Sequence, residues 1–300
     1  MPKFSVVIPT FNREELVERA IDSVVAQTLQ DFEILVIDDG SIDNTRLRLQ
    51  TKFGNRIKYF YIPNSGGPAT PRNLGIDHAS GDWICFLDAD DIWHPRKLER
   101  VSLAMTGDVD AMVICHDEVV VNTSNGREKI IRSGPWEEDF YRKFLIAGNR
   151  VLTSGTCVRR KLLTDNKLRF DTRADYVIIE DYDFWLRIAR LGVRFCFVPS
   201  PLATYTVDGN GISSNLEKMR ANVRTMLMDH AFGSGDVELA SAVDVRLAIE
   251  ELWLRTGASR DKRWIRLMLL VLANPRQAIR YVWLRLQRVY MLPPIVRLDD

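Results

Sequence analysis

Short apolar runs and longer segments with helical spacing alternate along the first hundred residues. Phe4–Thr10 is a β-branched, apolar run, which is typical of a strand buried on both faces of a parallel sheet. A segment follows in which apolar positions recur at helical spacing, namely Leu16, Ala20, Ile21, Val24 and Val25. The segments FEILVIDDGS, IKYFYIP and DWICFLDADD predict three more strands, separated by the helical segments NTRLRLQTKF and RNLGIDHAS. This alternation predicts an α/β fold with a mostly parallel, doubly wound sheet.

The pattern becomes mixed after Asp110. Residues 111–121 predict a strand, and the Asn-Gly pair at 125–126 predicts a hairpin turn. Residues 136–148 and 179–192 predict helices, and the apolar face of the second helix would contain Phe184, Trp185, Ile188 and Leu191. Residues 193–207 predict another strand. From about Asn215 onward the pattern is helical only.

Carboxylates cluster where predicted strands end. Asp38 and Asp39 follow one strand, and Asp88, Asp90 and Asp91 follow another in WICFLDADDIWHP. Ligands of open α/β sheets bind beyond the carboxyl ends of the strands. A D-x-D pair at such an end can present oxygens to Mg²⁺ or Mn²⁺, and these ions commonly bridge a diphosphate.

The D-x-D pair could also serve as a helix cap or as part of a phosphatase site. Asp90 and Asp91 could cap the following helix, although this leaves the carboxylates at the neighbouring strand end unexplained. A phosphatase-type nucleophilic aspartate, as in haloacid-dehalogenase-like enzymes, normally follows the first strand. The first strand here ends in Pro9 and Thr10 instead.

Composition narrows the class of protein. The 300 residues carry 41 basic and 40 acidic side chains, so global charge gives no nucleic-acid signal. The cysteines lack zinc-ligand spacing and are expected to be buried, reduced thiols; they are Cys85, Cys115, Cys157 and Cys196. The N-terminus has no signal-peptide pattern, and the apolar run Leu267–Ala273 is shorter than the ~20 residues of a membrane span. We expect a cytoplasmic protein, or one peripheral on the inner face of the cell membrane.

Four blocks in order carry a family resemblance: VVIPTFNREELVERAIDSVVAQT, FEILVIDDGSIDNT, NSGGPATPRNLGIDHASGDWICFLDADD and EDYDFWLRIARLG. From about Lys3 to Ser214 the chain resembles an inverting family 2 glycosyltransferase of the GT-A fold. The resemblance implies a Rossmann-like, mostly parallel sheet flanked by helices. Residues 1–109 would then be the nucleotide-sugar-binding half, 110–214 the acceptor-binding half, and 215–300 a helical C-terminal extension.

The resemblance also implies roles in binding the donor. Pro9, Thr10, Asn12 and Glu14 would line the base and ribose pocket. Asp39 would hydrogen-bond the base, supported by Asp38 and Ser41. Asn64, Gly66 and Gly67 would form a flexible loop, and Arg72 with Asn73 would approach the diphosphate. Asp88, with Ala89, would contact ribose or metal, and Asp90 would hold Mn²⁺ or Mg²⁺.

The Glu180–Asp181 pair resembles the family's acidic pair, in which the aspartate is the base that deprotonates the acceptor hydroxyl. Asp181 is therefore the expected base, and its place at a helix N-terminus should keep it ionised. An ordinary first-turn acid is the alternative, and Asp183 is the neighbour most easily mistaken for the base. Many relatives carry a basic residue and a histidine where this chain has Thr206 and Asp208. Asp208 is the candidate third metal ligand, which leaves that ligand open.

The predicted C-terminal helices are basic and amphipathic. One apolar stripe comprises Ile279, Val282, Trp283, Leu286, Val289 and Tyr290. Ten arginine or lysine residues lie between Leu252 and Leu298, and the only acid there is Asp261. Such helices can lie on anionic membranes, but a helix packed on the catalytic domain with a solvated basic face explains the pattern equally well.

The resulting expectation is a metal-dependent, inverting transferase that moves a sugar from a nucleoside diphosphate donor to a glycan or lipid-linked acceptor in cell-surface polysaccharide synthesis. UDP is the expected nucleotide because it is the commonest in the family, while GDP and dTDP stay open. A processive synthase is disfavoured because neither a channel-forming span nor an acceptor motif of that class is present. The remaining alternative is a catalytically inactive nucleotide-sugar-binding or scaffold protein of the same fold.

Overall fold

The computed structural model describes residues 2–207, 216–254, 271–272 and 274–290. Its strands are β1 (Phe4–Thr10), β2 (Phe32–Asp38), β3 (Lys58–Tyr61), β4 (Trp83–Phe86), β5 (Ile92–Trp93), β6 (Ala111–Asn122), β7 (Arg127–Ile131), β8 (Thr156–Arg159) and β9 (Arg194–Val207). Its helices are α1 (Glu14–Val25), α2 (Thr45–Phe53), α3 (Ala69–His78), α4 (Lys97–Gly107), α5 (Phe140–Ala147), α6 (Arg160–Asp165), α7 (Glu180–Arg190), α8 (Leu216–Phe232), α9 (Val237–Leu254) and α10 (Pro275–Tyr290).

The described strands form one sheet in the order β3-β2-β1-β4-β8-β6-β9-β5, with β7 paired to β6. Strands β1 to β4 are mutually parallel, which confirms the prediction for the first half of the chain. Strand β8 runs antiparallel to both of its neighbours, whereas β6 and β9 are parallel. The strand direction therefore changes between β4, which precedes the D-x-D segment in the chain, and β8.

Apolar side chains alternate between the two faces of the sheet. In β1, Phe4, Val6 and Ile8 pack with Val17 of α1 and Leu49 of α2, in the cluster that α4 also covers. Val7 points to the opposite face, where α3, α5, α7, α8, α9 and α10 contribute the larger cluster. Helix α3 lies so close to β1 that a Cβ atom at Gly75 would overlap the side chain of Val7. Burial on both faces explains why the parallel strands are continuously apolar in sequence.

The second half contains the predicted elements together with β8 and α6, which the sequence pattern did not predict. Strands β6 and β7 form the predicted hairpin. Helix α7 buries Phe184, Trp185 and Ile188, but Leu191 is 45% exposed, so its predicted place on the buried face is wrong. Leu191 lies after the last residue of the helix, next to Gly192 with its positive φ, where the chain has left the helical path. In the first half, the strand predicted from DWICFLDADD ends at Phe86, which leaves the carboxylates in the loop that follows.

The expectation of four reduced thiols is wrong for one pair. Cys85 and Cys157 form a disulfide between the antiparallel strands β4 and β8, whose register places them opposite each other with Cα atoms 4.1 Å apart. Their separation of 72 residues concealed this pairing, because it depends on a strand register that the sequence pattern does not specify. Cys115 and Cys196 are free thiols.

The described residues beyond 215 are mainly helical, and α10 packs on α9 and α5. Helix α10 buries Ala278, Tyr281 and Leu284. Its opposite side holds four apolar residues of the predicted stripe at 50–64% exposure, namely Ile279, Val282, Trp283 and Leu286. The side chains of Val289 and Tyr290, and the basic residues between 255 and 270, lie outside the described residues. Among the described helices, none combines the length and apolarity needed to cross a bilayer.

Candidate active site

The ends of β1 and β2 form the first part of the site. The backbone N–H of Asp39 donates to the carbonyl of Thr10 over 2.8 Å, so the two strand ends meet. Pro9 and Thr10 are buried, and the hydroxyl of Thr10 has no hydrogen-bond partner among the described residues. The Asp39 carboxylate accepts from the backbone N–H of Ser65 over 2.9 Å. Burial raises the pKa of Asp39, although the bond from Ser65 opposes the rise.

The loop after β2 is held by side chains from three directions. Asp38 accepts hydrogen bonds from the hydroxyl of Tyr59 and, over 2.8 Å, from the backbone N–H of Ser41. Asn12, with φ of 49°, donates its backbone N–H to the hydroxyl of Ser41 over 2.9 Å, and its side-chain oxygen accepts from the next residue of that loop. Glu14 accepts from the backbone N–H of Asn44 over 2.9 Å, immediately before α2. The described contacts of Asn12 and Glu14 therefore fix the loop.

The glycine-rich loop approaches the chain just before α7. Asn64 accepts from the backbone N–H of Gly66, whose φ of 86° lies in the left-handed region. A Cβ atom at Gly67 would lie 3.5 Å from the side chain of Val177, three residues before Glu180. The glycine-rich loop and the segment that precedes α7 are therefore neighbours.

The loop from Asp88 to Asp91 follows β4 and divides its carboxylates between surface and interior. Asp88 and Asp90 keep about a third of their side chains exposed, at 32% each. The guanidinium of Arg13 lies 3.5 Å from Asp90. Ala89 and Asp91 are buried, and the Asp91 carboxylate accepts from the hydroxyl of Ser154 over 2.5 Å. Burial raises the pKa of Asp91, and the charge of Glu118 adds to the rise.

Arg72 joins the donor side of the site to α7. Its side chain is 4% exposed, and its two terminal nitrogens lie 2.6 Å from Asp88 and 2.6 Å from Glu180. Although burial disfavours its charge, the two carboxylates raise the pKa of Arg72. Asn73 donates to and accepts from the backbone of Phe170. The described partners of Arg72 and Asn73 are therefore protein groups, and a diphosphate could reach the guanidinium only beside its existing pairs.

Asp181, the second residue of α7, lies beside this bridge. Its carboxylate accepts from the hydroxyl of Thr153 over 2.9 Å and from the backbone N–H of Tyr182 over 2.6 Å. Burial raises the pKa of Asp181 to about 6, and Glu180 adds to the rise, while Arg72 and Thr153 oppose it. The sequence suggested that the helix N-terminus would dominate the pKa of Asp181. In the structure, burial has the larger effect and raises this pKa. A carboxylate with a pKa near 6 is still ionised at neutral pH and is better matched to a proton transfer there.

Asp183 has a different environment. It is buried, with one oxygen 2.7 Å from Arg187 and the other 3.0 Å from His230 of α8. Both oxygens are therefore occupied by α7 and α8. Asp181 is the carboxylate of the first turn that faces Thr153 and Arg72, which separates it from its neighbour.

Sequence reasoning missed three residues beside the predicted ones. Arg13 follows Asn12 in the first block, and Thr153 and Ser154 lie in LTSGT between two apolar segments. A run of small polar residues within a buried segment was the available signal, since Thr153 and Ser154 are 7% and 2% exposed. The predicted ligand Asp208 lies outside the described residues.

The possible metal ligands at this edge of the sheet suit a hard divalent cation, but they do not form a complete ligand set. Asp88 and Asp90 offer carboxylate oxygens, which Mg²⁺ and Mn²⁺ prefer. Within the described ranges, however, no group of three or more aspartate, glutamate, histidine or cysteine side chains is arranged to hold a metal. The remaining ligands would come from substrate oxygens, water or residues outside those ranges.

Residues 5–164 match the family described as Glycosyl transferase family 2, which is more than half of the chain. The chain belongs to glycosyltransferase family 2. It is 31% identical over 210 residues to the "Amylovoran biosynthesis glycosyltransferase AmsB" of Erwinia amylovora, covering 67% of this chain and 69% of AmsB. It is 31% identical over 216 residues to "UDP-Glc:alpha-D-GlcNAc-diphosphoundecaprenol beta-1,3-glucosyltransferase WfgD" of Escherichia coli, covering 70% of this chain and 79% of WfgD. The protein is a glycosyltransferase.

Solved structures confirm the GT-A fold of this family 2 glycosyltransferase. The crystal structure of S. aureus TarS 1-349 in complex with UDP-GlcNAc has a TM-score of 0.64 at 23% identity, covering 96% of this chain and 88% of that chain. The mannosyltransferase PcManGT from Pyrobaculum calidifontis, in complex with GDP-Man and Mn²⁺, has a TM-score of 0.54 at 17% identity, covering 96% and 87%. At these identities the likeness concerns the fold.

Proposed function

We propose that this glycosyltransferase moves one sugar from a UDP-sugar to a lipid-linked glycan in cell-surface polysaccharide synthesis, with inversion and with the help of Mn²⁺ or Mg²⁺. The observation that carries the proposal is the Arg72 bridge, with 2.6 Å contacts to both Asp88 and Glu180. Because of this bridge, the carboxylates suited to a diphosphate-bound cation lie beside the candidate base Asp181. The names of WfgD and of the UDP-GlcNAc complex of TarS support the donor and acceptor classes.

The residues present divide the work of the reaction. Asp39 and the loop fixed by Asp38 and Ser41 would receive the base and ribose. Asp88 and Asp90, with Asp208 as the candidate third ligand, would hold the cation. When bound, the cation would neutralise charge that develops on the diphosphate leaving group. Arg13 lies beside Asp90 and would add positive charge at that point.

Asp181 would take the proton from the acceptor hydroxyl as the new glycosidic bond forms at the anomeric carbon. An attacking hydroxyl on the face opposite the leaving diphosphate inverts the configuration. One base is sufficient for this single displacement. The donor and the acceptor would bind together beside Asp90 and Asp181, and Glu180 would stay paired with Arg72.

A donor screen tests the proposal. UDP-, GDP- and dTDP-sugars would each be added with and without Mn²⁺ or Mg²⁺ while the melting temperature is measured, because binding to the folded state raises it. We expect a rise with UDP-sugars that depends on metal and is lost in Asp90→Ala. Asp110→Ala, at an exposed position directly before β6, is the matched control and should respond like the unmodified protein. A protein that binds no donor under any of these conditions would contradict the proposal.

We also propose that α10 holds the enzyme on the inner face of the cell membrane. Four exposed apolar residues lie along one side of α10, and the helix contains four arginines and no acidic residue. An exposed apolar stripe with basic neighbours suits the interface of an anionic bilayer, where a lipid-linked acceptor would be found. The apolar side chains would enter the headgroup region while the buried side of α10 keeps its contacts with α5 and α9.

Co-sedimentation with anionic and neutral vesicles tests the membrane proposal. Trp283→Ser with Leu286→Ser should lower binding to anionic vesicles, and removal of residues 274–300 should lower it further. Val237→Ser, at another exposed apolar position with 83% exposure, is the control. Equal sedimentation of all these proteins would overturn the membrane proposal without affecting the donor screen.

A further inference from the structure

A short turn between α5 and β8 contacts both halves of the candidate active site. It comprises residues 152–156 and is called here the 153–154 turn. The carbonyl of Leu152 accepts from the backbone N–H of Gly155 over 3.1 Å and from the hydroxyl of Thr156 over 2.6 Å. The backbone N–H of Thr156 donates to the carbonyl of Thr153 over 3.0 Å. These bonds fix the directions in which Thr153 and Ser154 point.

Ser154 contacts the loop that carries the predicted metal ligands. Its hydroxyl accepts from the backbone N–H of Asp88 over 3.0 Å and donates to the carboxylate of Asp91 over 2.5 Å. Its carbonyl accepts from the indole N–H of Trp93 over 2.8 Å. One buried residue therefore holds the backbone of Asp88, the carboxylate of Asp91 and the indole of Trp93.

Thr153, the adjacent residue, contacts the candidate base. Its hydroxyl donates to Oδ2 of Asp181 over 2.9 Å, while Oδ1 accepts from the backbone N–H of Tyr182. The two bonds restrict rotation of the carboxylate about its last torsion. Glu180 and Arg72 are the charged groups that act on Asp181 besides these two donors.

The backbone of the turn has little room to move. A Cβ atom at Gly155 would lie 3.0 Å from the carbonyl oxygen of His116 and 3.1 Å from Oε1 of Glu118. The turn is therefore pressed against β6, the strand to which β8 is paired. A rigid turn of this kind can hold the candidate base and the metal-binding loop at a precise distance from each other.

We propose that the 153–154 turn sets the position of the catalytic base relative to the metal-binding loop, with Thr153 as the positioning residue for Asp181 and Ser154 as the positioning residue for Asp88 and Asp90. This inference rests on the proposed function. It adds two residues that act through the reacting groups and do not themselves contact substrate.

The first experiment separates orientation of the base from donor binding. Thr153→Val removes the hydroxyl and nearly conserves volume, so kcat should fall by about 10- to 100-fold because the base is misaligned, with little change in UDP affinity. Loss of the donated hydrogen bond should also move the acidic limb of the kcat profile upward by up to about one pH unit. Thr153→Ser keeps the hydroxyl and should restore both kcat and the limb. Thr106→Val, at an exposed threonine of α4, is the matched control.

The second experiment addresses the metal-binding loop. Ser154→Ala should raise the Mn²⁺ concentration needed for half-maximal UDP binding by about tenfold, since loss of a group that supports metal ligands typically weakens binding by that order. Calorimetric titration of UDP at several Mn²⁺ concentrations measures this without turnover. Thr153→Val should leave the Mn²⁺ dependence unchanged, so the two substitutions should affect different measurements.

The outcomes distinguish this inference from the proposed function. If Asp181→Asn abolishes turnover while Thr153→Val and Ser154→Ala behave like the unmodified protein, the turn has no positioning role and only this inference fails. If Asp181→Asn keeps full turnover, the proposed base itself is wrong. Should Thr153→Val fail to fold in a thermal melt, Thr153→Ala removes the same hydroxyl without adding a branched apolar group. A normal pH limb and normal kcat in Thr153→Ala would then overturn the inference.

Discussion

The two halves of the catalytic domain build their parts of the site in different ways. In residues 4–109, the candidate carboxylates Asp38, Asp39 and Asp88 lie at the end of a buried parallel strand or within two residues of it, so the geometry of the sheet brings them to the same edge. In residues 110–207, Asp181 lies in the first turn of a helix and is held by Thr153 and by the neighbourhood of Arg72, which are 28 and 109 residues away in sequence.

Local sequence patterns therefore position the carboxylates of the first half, whereas tertiary packing positions Asp181. The donor side depends on strand-then-carboxylate patterns that parallel pairing brings together. The base side depends on buried polar contacts that form only when α7, the 153–154 turn and α3 have packed. The positions of the donor-side residues should therefore tolerate the loss of one supporting side chain better than the position of the proposed base does, and substitutions can test this contrast.

The largest effect is expected from removing the proposed base. Asp181→Asn keeps the size of the side chain but cannot accept the acceptor's proton, so kcat should fall by about 10³-fold. Donor binding, measured by the shift in melting temperature, should persist because Asp39 and Asp90 are untouched. Asp183→Asn should instead lower stability, because Arg187 and His230 would lose a charged partner. If Asp181→Asn retained turnover, Asp181 would not be the base, and the proposed contrast between the two halves would fail.

The Arg72 bridge should produce the next effect. Arg72→Met leaves Glu180, which is 4% exposed, without its described cation, and breaking a buried pair in this way costs about 3–5 kcal/mol. Urea unfolding measures the loss. Arg48→Met, in which the lost pair with Glu18 is more exposed, should cost far less. Adding Glu180→Gln to Arg72→Met should recover part of the loss, and equal costs at Arg72 and Arg48 would show that the bridge does not stabilise the domain.

The same contrast limits what the sequence could predict. The parallel strands, the carboxylates beyond them and the helix that begins at Glu180 followed from periodicity and from the family resemblance. Thr153 and Ser154 did not, because their partners lie 28 and 63 residues away and small polar residues have no periodicity. The disulfide of Cys85 and Cys157 was missed for the same reason, since strand register created it. The pKa of Asp181 depends on burial, which its place in a helix first turn did not predict.

The pH dependence of turnover should show a smaller effect of base-side burial. Burial and Glu180 raise the pKa of Asp181 to about 6, so the base becomes protonated as the pH falls through that value. The rate should be constant above about pH 7 and fall about tenfold for each pH unit below 6. Initial rates at saturating donor and acceptor between pH 5 and 8 measure the limb. A limb near pH 4 would mean that the base is more solvated than the described contacts imply.

The smallest effect is expected at Glu14 on the donor side. Its carboxylate accepts from the backbone N–H of Asn44 and so supports the start of α2, and Glu14→Gln keeps an oxygen that can accept this bond. The KM for the UDP-sugar should therefore change less than about threefold, and stability by less than about 1 kcal/mol. Glu14→Ala loses the acceptor and should lower stability by about 0.5–1.5 kcal/mol, still with a modest change in KM.

The family resemblance instead places Glu14 in the base and ribose pocket. If that contact is the important one, both substitutions should raise KM about tenfold or more while the urea midpoint stays constant, because a hydrogen bond to the donor would be lost and the support of α2 would not matter. Steady-state kinetics and unfolding of the same two variants therefore decide whether this donor-side residue acts on the nucleotide or on the loop that surrounds it.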